Sequence, residues 1–459
     1  MLERLGPIIE SRMRNKTNPS GDLYRFLSSS LVRPYIKKYL RLKLKRSVRY
    51  AAQFSPFYHQ LFKENAIEAH QIKSPEDMKK IPLTTSGDIK NYERFLAVPN
   101  EQFIKVFSSS GTTGKPKRIF FTKHDLANQV SGVKTGLRLL YGLDASDSVR
   151  ITYDHGYGID DWGVRYCMSR AVEAIGAMSV LTGGRLQAED EIELMRTYQI
   201  SSIAGTPSYL HCLTHDMKQL ADLTSFHIKN ILLGTEPLTS SIRKNLENMW
   251  DTKVFQGYGM TEMGTSIAGE CQMQDGLHIT ESDFFIEVID PDTEELVADG
   301  DIGELVITTL SREGMPLLRY RTRDLGVIIP DRCSCGLPFR RILIKGRTDT
   351  MMTIGSGDNI YPAAFDEVLL KLPFICDYQV ELTRPNDRDH LKIIIETRVK
   401  DPSIKQKVID ALYTLSEIKN GVMESKTIDP PEIVIVEPHT LERCMVKAKK
   451  VVDNRHLFD

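Results

Sequence analysis

The stretch Ser108-Ser109-Ser110-Gly111-Thr112-Thr113-Gly114-Lys115-Pro116-Lys117 concentrates hydroxyl groups, glycines and lysines in consecutive positions. Glycines let backbone N–H groups approach phosphate oxygens, hydroxyls add hydrogen-bond donors, and lysines supply positive charge. Apolar runs at residues 104–107 and 119–121 flank this segment, which we call the phosphate loop, and are typical of strands. We therefore predict a loop that lies between two strands and wraps a polyphosphate.

The P-loop of nucleoside-triphosphate hydrolases is the obvious alternative for this loop. That motif requires a glycine, four further residues and then Gly-Lys-Ser/Thr at the start of a helix. In this chain Ser109 stands where the first glycine is required, and Pro116 replaces the Ser/Thr that would hold magnesium. The P-loop is therefore excluded, and a solvated Ser/Gly turn stays open as the other local interpretation.

Composition limits the class of protein. The chain has 459 residues, which suffices for two or three domains, and its 41% hydrophobic and 26% charged residues are typical of globular proteins. A net charge of −1 argues against a general nucleic-acid binder. The sequence has no apolar run of membrane-spanning length and no signal-peptide core at its start, and its seven cysteines do not suggest a disulfide framework. We expect a cytoplasmic protein that binds neither nucleic acid nor membranes, and a homodimer is left open.

Helix-like and strand-like segments alternate between residues 123 and 250. The predicted helices cover residues 125–140, 162–175, 189–198 and 240–250, and the predicted strands cover 148–152, 177–181, 201–204 and 231–233. This alternation predicts an α/β fold with mostly parallel sheets flanked by helices.

The pattern changes towards the C-terminus. Short strands are predicted at residues 284–289, 304–309 and 325–329, and they form a small β subdomain. A charged break at 345–349 precedes helices at 361–372 and 403–420, a hairpin of 377–383 with 390–397, and a strand at 432–436. We predict a large N-terminal domain of residues 1–348 and a small α+β C-terminal domain of residues 349–459.

Polar clusters follow several of these strands. Glu236 and Pro237 follow a buried strand, at the edge where open α/β sheets bind ligands. The segment 256–262 offers an aromatic face for a base, a hydroxyl for a phosphate and a carboxylate for magnesium. Asp324 could accept hydrogen bonds from both ribose hydroxyls. Each cluster is a weak signal, but their order along the chain is informative.

In this order the clusters resemble the motifs of the adenylate-forming superfamily of acyl-CoA synthetases, adenylation domains and luciferases. Within the superfamily the chain most resembles the phenylacetate–CoA ligase family, over nearly its whole length. The matching segments are Ser55-Pro56-Phe57-Tyr58, Ile81-Pro82-Leu83-Thr84-Thr85, Ser109 to Pro116, Gly257-Tyr258-Gly259-Met260-Thr261-Glu262, Tyr320-Arg321-Thr322-Arg323-Asp324, Gly346-Arg347-Thr348-Asp349 and the stretch from Lys447 to Arg455.

The resemblance implies a role for each matching residue. Ser109, Ser110, Gly111, Thr112, Thr113, Gly114 and Lys115 would hold the β- and γ-phosphates of ATP. Glu236 and Pro237 would line the adenine pocket, Tyr258 would stack on the base, and Gly259 belongs to the same ATP-binding motif. Thr261 would contact the α-phosphate, Glu262 would bind Mg²⁺, Asp324 would hold the ribose, and Arg347 would contact the nucleotide. Asp349 would be the hinge of a mobile C-terminal domain, and Lys447 the lysine of the first step.

The implied reaction joins a small carboxylic acid to coenzyme A. The carboxylate attacks the α-phosphorus of ATP, which gives an acyl-adenylate and pyrophosphate, and the thiol then displaces AMP. Because two anions must meet in the first step, magnesium and lysine charges are needed there. In this chain Val446 precedes Lys447 where the family usually has glycine, so Lys449 stays open as the alternative lysine.

A metal site is predicted from Cys271, His278, Cys333 and Cys335. Cys333 and Cys335 share one turn, whereas Cys271 and His278 follow the Tyr258 motif. Two buried apolar thiols are the alternative interpretation of a Cys-x-Cys pair. Some relatives of phenylacetate–CoA ligase resemble this chain in carrying cysteine and histidine zinc ligands in these segments. Three thiolates and one imidazole would form a closed, structural Zn²⁺ site.

The acid and its acceptor are less well defined. Tyr153, His155 and Tyr157 are pocket candidates, because they fall where the family's acid-binding loop should lie. The polar residues Asp154 and His155 favour a hydroxylated or amino-bearing aromatic acid over phenylacetate itself. Two alternatives stay open: transfer of the acyl group to an amine or carrier protein, or of AMP to another acceptor, without CoA, and a non-catalytic nucleotide-binding relative, for which Val446 is the hint.

Overall fold

The computed structural model describes residues 33–108, 117–153, 163–264, 266–441 and 450–455. The described helices are α1 Arg33–Phe54, α2 Pro56–Glu64, α3 Lys123–Tyr141, α4 Gly163–Ile175, α5 Ala188–Thr197, α6 Pro207–Met217, α7 Ser240–Trp250, α8 Pro362–Leu369, α9 Ile404–Leu412 and α10 Ser416–Met423. The described strands are β1 Phe103–Ser108, β2 Arg118–Thr122, β3 Ser148–Ile151, β4 Met178–Val180, β5 Ser202–Gly205, β6 Asn230–Leu233, β7 Lys253–Gly259, β8 Ser266–Glu270, β9 Leu277–Ile279, β10 Phe284–Ile289, β11 Gly303–Thr309, β12 Tyr320–Ile329, β13 Arg341–Arg347, β14 Met352–Ile354, β15 Asp358–Ile360, β16 Asp377–Thr383, β17 His390–Glu396, β18 Glu432–Val436 and β19 Val451–Asp453.

The chain divides into two compact units. The first comprises Met1–Ile151, Asp160–Ser179 and Phe255–Lys345, and the second comprises Thr152–Ile159, Val180–Val254 and Gly346–Asp459. These units group residues by their contacts, whereas the boundary at residues 348 and 349 was inferred from the sequence pattern. That boundary stays a prediction.

Strands β1 and β2 of the first unit form an antiparallel hairpin, in which Phe107 lies opposite Ile119. Helix α3 begins directly after β2, where the Thr122 hydroxyl accepts a hydrogen bond from the Asp125 N–H and the Asp125 carboxylate accepts one from the Thr122 N–H. The phosphate loop therefore connects two strands and does not open a helix, as its flanking apolar runs predicted.

The predicted β subdomain is part of a larger sheet in the first unit. In this unit the strand order is β10-β11-β12-β13-β9-β8-β7. The strand predicted at 325–329 starts earlier, at Tyr320, so the Tyr320–Asp324 motif is itself part of β12. Likewise β7 continues to Gly259 and carries the first half of the Gly257–Glu262 motif. Residues 257–259 and the Tyr320–Asp324 motif thus occupy extended backbone in one sheet, whereas the whole Tyr258 motif was expected to follow its strand.

The second unit contains the other half of the predicted α/β pattern. Strands β5 and β6 are parallel, with Ala204 opposite Leu232. Near the C-terminus a second sheet has the order β18-β17-β16-β19, which mixes antiparallel and parallel pairs. The helix predicted at 403–420 is two helices, α9 and α10, because Leu415 leaves helical geometry with φ −82° and ψ 113°. The α+β character of this C-terminal part is confirmed.

No helix in the described part of the chain is both long and apolar enough to cross a membrane.

Candidate functional site

Glu262 lies at the centre of a hydrogen-bonded group in the first unit. Its carboxylate oxygen Oε1 accepts hydrogen bonds from the Lys117 ammonium at 2.5 Å and from the Tyr320 hydroxyl at 3.0 Å. The Lys117 Nζ also lies 3.4 Å from the Tyr320 hydroxyl oxygen. Three parts of the sequence thus meet at one carboxylate: the end of the phosphate loop, the Tyr258 motif and strand β12.

The position of Glu262 shapes its charge. The residue is 5% exposed. Burial raises the pKa of a carboxyl group, but the positive charge of Lys117 and the hydrogen bonds from Lys117 and Tyr320 outweigh that effect, so the pKa of Glu262 is lowered. The carboxylate is therefore anionic at neutral pH. An anionic oxygen of this kind is the ligand that Mg²⁺ prefers.

Glu262 belongs to a three-residue 3₁₀ turn, Thr261–Met263, which we call the motif turn. The turn follows the end of β7 at Gly259, and Gly264 after it has φ +104°, which favours glycine. Thr261 and Glu262 are therefore placed side by side in one short turn. Their sequence-predicted roles at the α-phosphate and the metal require such proximity.

Tyr258 and Asp324 are also brought together. The Tyr258 hydroxyl donates to the Asp324 Oδ2 at 2.5 Å, although the two residues are 66 positions apart. Asp324 is 6% exposed, and its backbone N–H donates to the Thr322 hydroxyl at 3.0 Å. The residues predicted to contact the base and the ribose are neighbours in the first unit.

The second unit holds the other described nucleotide-site candidates. The Glu236 carboxylate accepts a hydrogen bond at 3.1 Å from the backbone N–H of Ser208, in the first turn of α6, and Pro237 beside it is exposed. Arg347 forms a two-point ion pair with Asp349, with 2.9 Å between Nε and Oδ1 and 3.2 Å between Nη2 and Oδ2. The predicted nucleotide contact and the predicted hinge residue thus share one interaction.

Several predicted site residues lie outside the described part of the chain. They are Ser109, Ser110, Gly111, Thr112, Thr113, Gly114, Lys115, His155, Tyr157 and Lys447, together with Val446 and Lys449. Of the three pocket candidates, Tyr153 is described. It is 4% exposed, and burial raises the pKa of its hydroxyl.

The four predicted zinc ligands form one cluster in the first unit. The ligand atoms of Cys271, His278, Cys333 and Cys335 all lie within 4.8 Å of one another. The Sγ atoms of Cys271 and Cys333 are 3.6 Å apart, and the Sγ of Cys335 is 3.3 Å from the His278 Nε2. Zinc–sulfur bonds of about 2.3 Å in a tetrahedron separate the sulfur atoms by roughly 3.8 Å. The cluster therefore has the donor set and the size of a tetrahedral zinc site.

The reasoning from sequence missed two residues of the Glu262 group. Lys117 was within the phosphate loop but carried no assigned role, and Tyr320 opened its motif without one. A lysine and a tyrosine are common in any chain, so composition alone could not select them. Their positions within two of the quoted motifs were the available signal.

Two family descriptions match the chain. The description "AMP-binding enzyme" matches residues 58–311, and "AMP-binding enzyme C-terminal domain" matches residues 357–455. The phenylacetate-coenzyme A ligase of Aromatoleum evansii is 33% identical over 427 residues, which cover 90% of this chain and 93% of the relative. The enzyme of the same name from Escherichia coli is 30% identical and covers 90% and 94%.

The chain belongs to the AMP-binding enzyme family. The predicted family resemblance and the predicted enzyme class, an AMP-forming acid–CoA ligase, are thereby confirmed.

Solved structures agree on the fold of this AMP-binding enzyme. A 2-hydroxyisobutyryl-CoA ligase in the postadenylation state, in complex with 2-HIB-AMP, matches with a TM-score of 0.78 at 22% identity, covering 92% of this chain and 90% of that one. The same ligase with CoA in the thioesterification state matches with a TM-score of 0.65 at 24% identity, covering 93% and 91%. The predicted α/β fold class with an additional C-terminal domain is confirmed.

Proposed function

We propose that this AMP-binding enzyme activates an aromatic carboxylic acid with ATP and then transfers the acyl group to coenzyme A. The family membership supports ATP-dependent acid activation followed by thioester formation, and four relatives at 30–33% identity are named phenylacetate-coenzyme A ligase. For this chain we infer an aromatic acid with a polar substituent, because Asp154 and His155 follow Tyr153 in the expected acid-binding stretch.

The observation that carries the proposal is the hydrogen-bonded group around Glu262. Lys117 ends the phosphate loop, and its ammonium contacts the Glu262 carboxylate directly. A lysine at this place can move from the carboxylate to a phosphate oxygen when ATP binds. In the same unit Tyr258 and Asp324 offer an aromatic ring and a carboxylate for a nucleoside.

Each of these residues has a defined task in the first half-reaction. Tyr258 would stack on the adenine and Asp324 would accept hydrogen bonds from the ribose. The Thr261 hydroxyl would donate to the α-phosphate as the acid attacks the phosphorus. Glu262 would hold Mg²⁺, which when bound neutralises charge on the phosphates. The remaining contacts, by Ser109 to Lys115, Glu236, Pro237, Gly259 and Arg347, would hold the nucleotide in place.

The second half-reaction requires that the first be complete. Lys447 would stabilise the transition state of adenylation, and rotation about Asp349 would replace it with the thiol. The thiol sulfur then bonds to the acyl carbon, the bond from that carbon to the phosphate oxygen breaks, and AMP leaves. Exclusion of water protects the mixed anhydride until that step. We infer that both steps take place in the cytoplasm.

Pyrophosphate exchange with a panel of aromatic acids tests the proposal. We expect exchange that depends on one class of hydroxylated or amino-bearing aromatic acid, and consumption of the adenylate when CoA is added. If the adenylate forms but CoA does not consume it, the acceptor is an amine, a carrier protein or another nucleophile. If no acid supports exchange, the catalytic assignment is contradicted.

The same assay decides which lysine serves the first step. We expect Lys447→Ala to reduce exchange at least about a hundredfold, because it removes a positive charge from the transition state. The matched control is Lys449→Ala, which we expect to retain exchange. The reverse result would move the assignment to Lys449.

We also propose that Cys271, His278, Cys333 and Cys335 bind one structural Zn²⁺. The cluster has four ligand atoms within 4.8 Å of one another and is mostly buried. The His278 Nε2 faces the Cys335 thiol, and within the described residues the buried Nδ1 has no hydrogen-bond partner. A closed set of four protein ligands leaves no position for substrate. The ion would tie the loop after β8 to the loop between β12 and β13.

Elemental analysis and thermal melting test this site. We expect about one zinc per chain, and a lower melting temperature with loss of zinc in Cys335→Ser, because metal binding contributes to folding. Cys167→Ser, a change at a buried cysteine outside the cluster, is the control and should retain zinc. Purified protein without zinc, from cells grown with zinc, would contradict the proposal.

A further inference from the structure

Arg312 is a buried arginine beside the motif turn. It is 7% exposed, and its Nη1 donates to the backbone carbonyl oxygen of Glu262 at 2.5 Å. Burial lowers the pKa of its guanidinium to about 10, while the negative charges of Asp125 and Glu262 act in the opposite direction. Burying a guanidinium costs free energy, so a site that retains one needs a compensating interaction.

The guanidinium of Arg312 also packs against an aromatic ring. Its Cζ lies 4.8 Å from the centroid of the Phe121 ring, and Phe121 itself is fully buried on strand β2. A planar guanidinium over an aromatic face has a restricted orientation. The donor that reaches the Glu262 carbonyl is therefore held in one direction by the strand that follows the phosphate loop.

Gln129 of helix α3 makes a similar contact one residue further along the turn. Its Nε2 donates to the Met263 carbonyl oxygen at 3.1 Å, and its Oε1 lies 3.7 Å from the Cys167 Sγ. At Gly264 any Cβ would overlap the Gln129 amide. Two successive carbonyls of the motif turn thus accept hydrogen bonds from two separate segments, the loop after β11, which carries Arg312, and helix α3, which carries Gln129.

These bonds add to the other contacts of the turn, in which Met263 is fully buried and the Glu262 carboxylate is bonded by Lys117 and Tyr320. The backbone of the turn supplies the bonds Met263 N–H to Met260 O at 3.1 Å and Gly264 N–H to Thr261 O at 3.0 Å. Arg312, Gln129 and Met263 also line a small cavity of about 30 Å³. The backbone bonds from Arg312 and Gln129 hold the main chain of the turn, while Lys117 and Tyr320 contact the Glu262 carboxylate itself.

We propose that Arg312 is a positioning residue, which holds the backbone of the motif turn so that the Glu262 carboxylate is in place for magnesium–ATP. Gln129 assists at the next carbonyl. The inference rests on the proposed function, since it concerns the metal-binding role of Glu262. Neither residue contacts the nucleotide in this proposal. Both act through the backbone carbonyl oxygens of the turn, to which they donate hydrogen bonds.

The test measures the magnesium requirement of full-length variants. ATP binding is followed by calorimetry over a series of Mg²⁺ concentrations, and pyrophosphate exchange is measured over the same series. We expect Arg312→Met to raise the half-saturating Mg²⁺ concentration about tenfold, the effect typical of losing a residue that orients a metal ligand. The KM for the acid should change less than about twofold.

Two further variants separate positioning from general stability. Arg312→Lys keeps the charge and an ammonium group that can donate to the Glu262 carbonyl, but it loses the planar guanidinium. Its magnesium requirement should therefore fall between those of Arg312→Met and the unmodified protein. Arg150→Met is the matched control: Arg150 is a buried arginine that donates to the carbonyl of Ile151 at 3.0 Å, and its loss should leave the magnesium requirement unchanged.

An unchanged magnesium requirement in folded Arg312→Met would overturn the proposal. If that variant does not fold, Arg312→Lys decides, and an unchanged requirement there overturns it equally. If the unmodified protein binds magnesium–ATP but exchanges pyrophosphate with no acid, the proposed function fails while the magnesium series still tests Arg312. Failure to bind ATP at all would overturn both.

Discussion

Tyr258 and Asp324 show how two residues of modest individual value can form one site. A tyrosine hydroxyl at 2.5 Å from a buried carboxylate is a charge-assisted hydrogen bond when the carboxylate is ionised. The bond orients the ring of Tyr258 and the oxygens of Asp324 at once. The contributions of Tyr258 and Asp324 to the free energy of nucleotide binding should therefore be coupled.

A double-mutant cycle checks this coupling. We expect Asp324→Asn to weaken ATP binding roughly tenfold to a hundredfold, because a charged acceptor for the ribose becomes a mixed donor and acceptor. Tyr258→Phe keeps the ring and should weaken binding only about threefold. The measurement is ATP affinity by calorimetry for both single variants and the double variant.

Coupling between the two positions is the decisive quantity. The effects of the single changes should not add, since the residues are in direct contact. Thr322→Val, which removes the hydroxyl that accepts from the Asp324 N–H, is a control for general disturbance of β12. Strict additivity of the Tyr258 and Asp324 changes would show that their hydrogen bond has no part in binding.

At the scale of elements, helix α6 brings titratable groups into the interior of the second unit. His211 on this helix is 2% exposed, and its ring centroid lies 4.7 Å from that of His215. Burial lowers the pKa of His211 to about 3, with smaller contributions in the same direction from His215 and Lys450 and an opposing one from Asp377. Asn245 Nδ2 lies 3.5 Å from the His211 Nε2, so a neutral ring can accept there.

This shift predicts how stability depends on pH. Because the folded-state pKa is below the unfolded value of 6.5, the unfolded chain binds the proton more tightly. The contribution of His211 to stability is complete above pH 6.5 and is lost as the pH falls towards 3, by about 1.4 kcal/mol per pH unit. His211→Gln should reduce the slope of the unfolding free energy against pH in this range, by the amount that corresponds to one bound proton.

Denaturant unfolding at a series of pH values between 7 and 4 measures that slope. His70→Gln is the matched control, since the side chain of His70 is 67% exposed. If His211→Gln and the unmodified protein lose stability with the same slope, the buried neutral histidine does not contribute to acid unfolding.

On the scale of the whole molecule, the predicted two-step reaction depends on a hinge at Asp349. Its carboxylate is paired with Arg347, two residues earlier, while about a hundred residues follow it in the sequence. A hinge must allow its φ and ψ to change between the two steps. Proline locks φ near −65°, so a proline there should hold one conformation.

Asp349→Pro is therefore expected to uncouple the half-reactions. One of pyrophosphate exchange and thioester formation should stay within about threefold of the unmodified rate, and the other should fall at least about tenfold. Asp349→Ala, which loses the pairing with Arg347 but keeps φ free, should retain both. Equal loss of both reactions in the proline variant, or no loss of either, would argue against a hinge at this residue.

Local features of the fold followed from local sequence. The phosphate loop was placed between strands because the flanking apolar runs are short, and the hairpin of β1 and β2 confirms it. Helix α7 matches its predicted range, and α3 differs from its own by a few residues, because apolar periodicity depends only on neighbours along the chain. The single helix predicted at 403–420 was wrong, because Leu415 has extended φ and ψ angles and separates two helices. The apolar periodicity of the sequence does not mark that interruption.

The sequence by itself determined the order of the motifs, the alternation of helices and strands, and the residue types available for nucleotide and metal chemistry, because these depend on spacing along the chain. Only the tertiary structure decided which of those residues meet. Lys117 and Glu262 are 145 positions apart, and Tyr258 and Asp324 are 66 apart. The second contact depends on how β7 and β12 are placed in one sheet, and the first on how the segment that leads into β2 lies against the motif turn. Both join segments that are far apart in the sequence, which local patterns do not relate to one another. The support of the motif turn by Arg312 and Gln129 is of the same kind, because a side chain that bonds a distant backbone carbonyl leaves no periodic trace in the sequence.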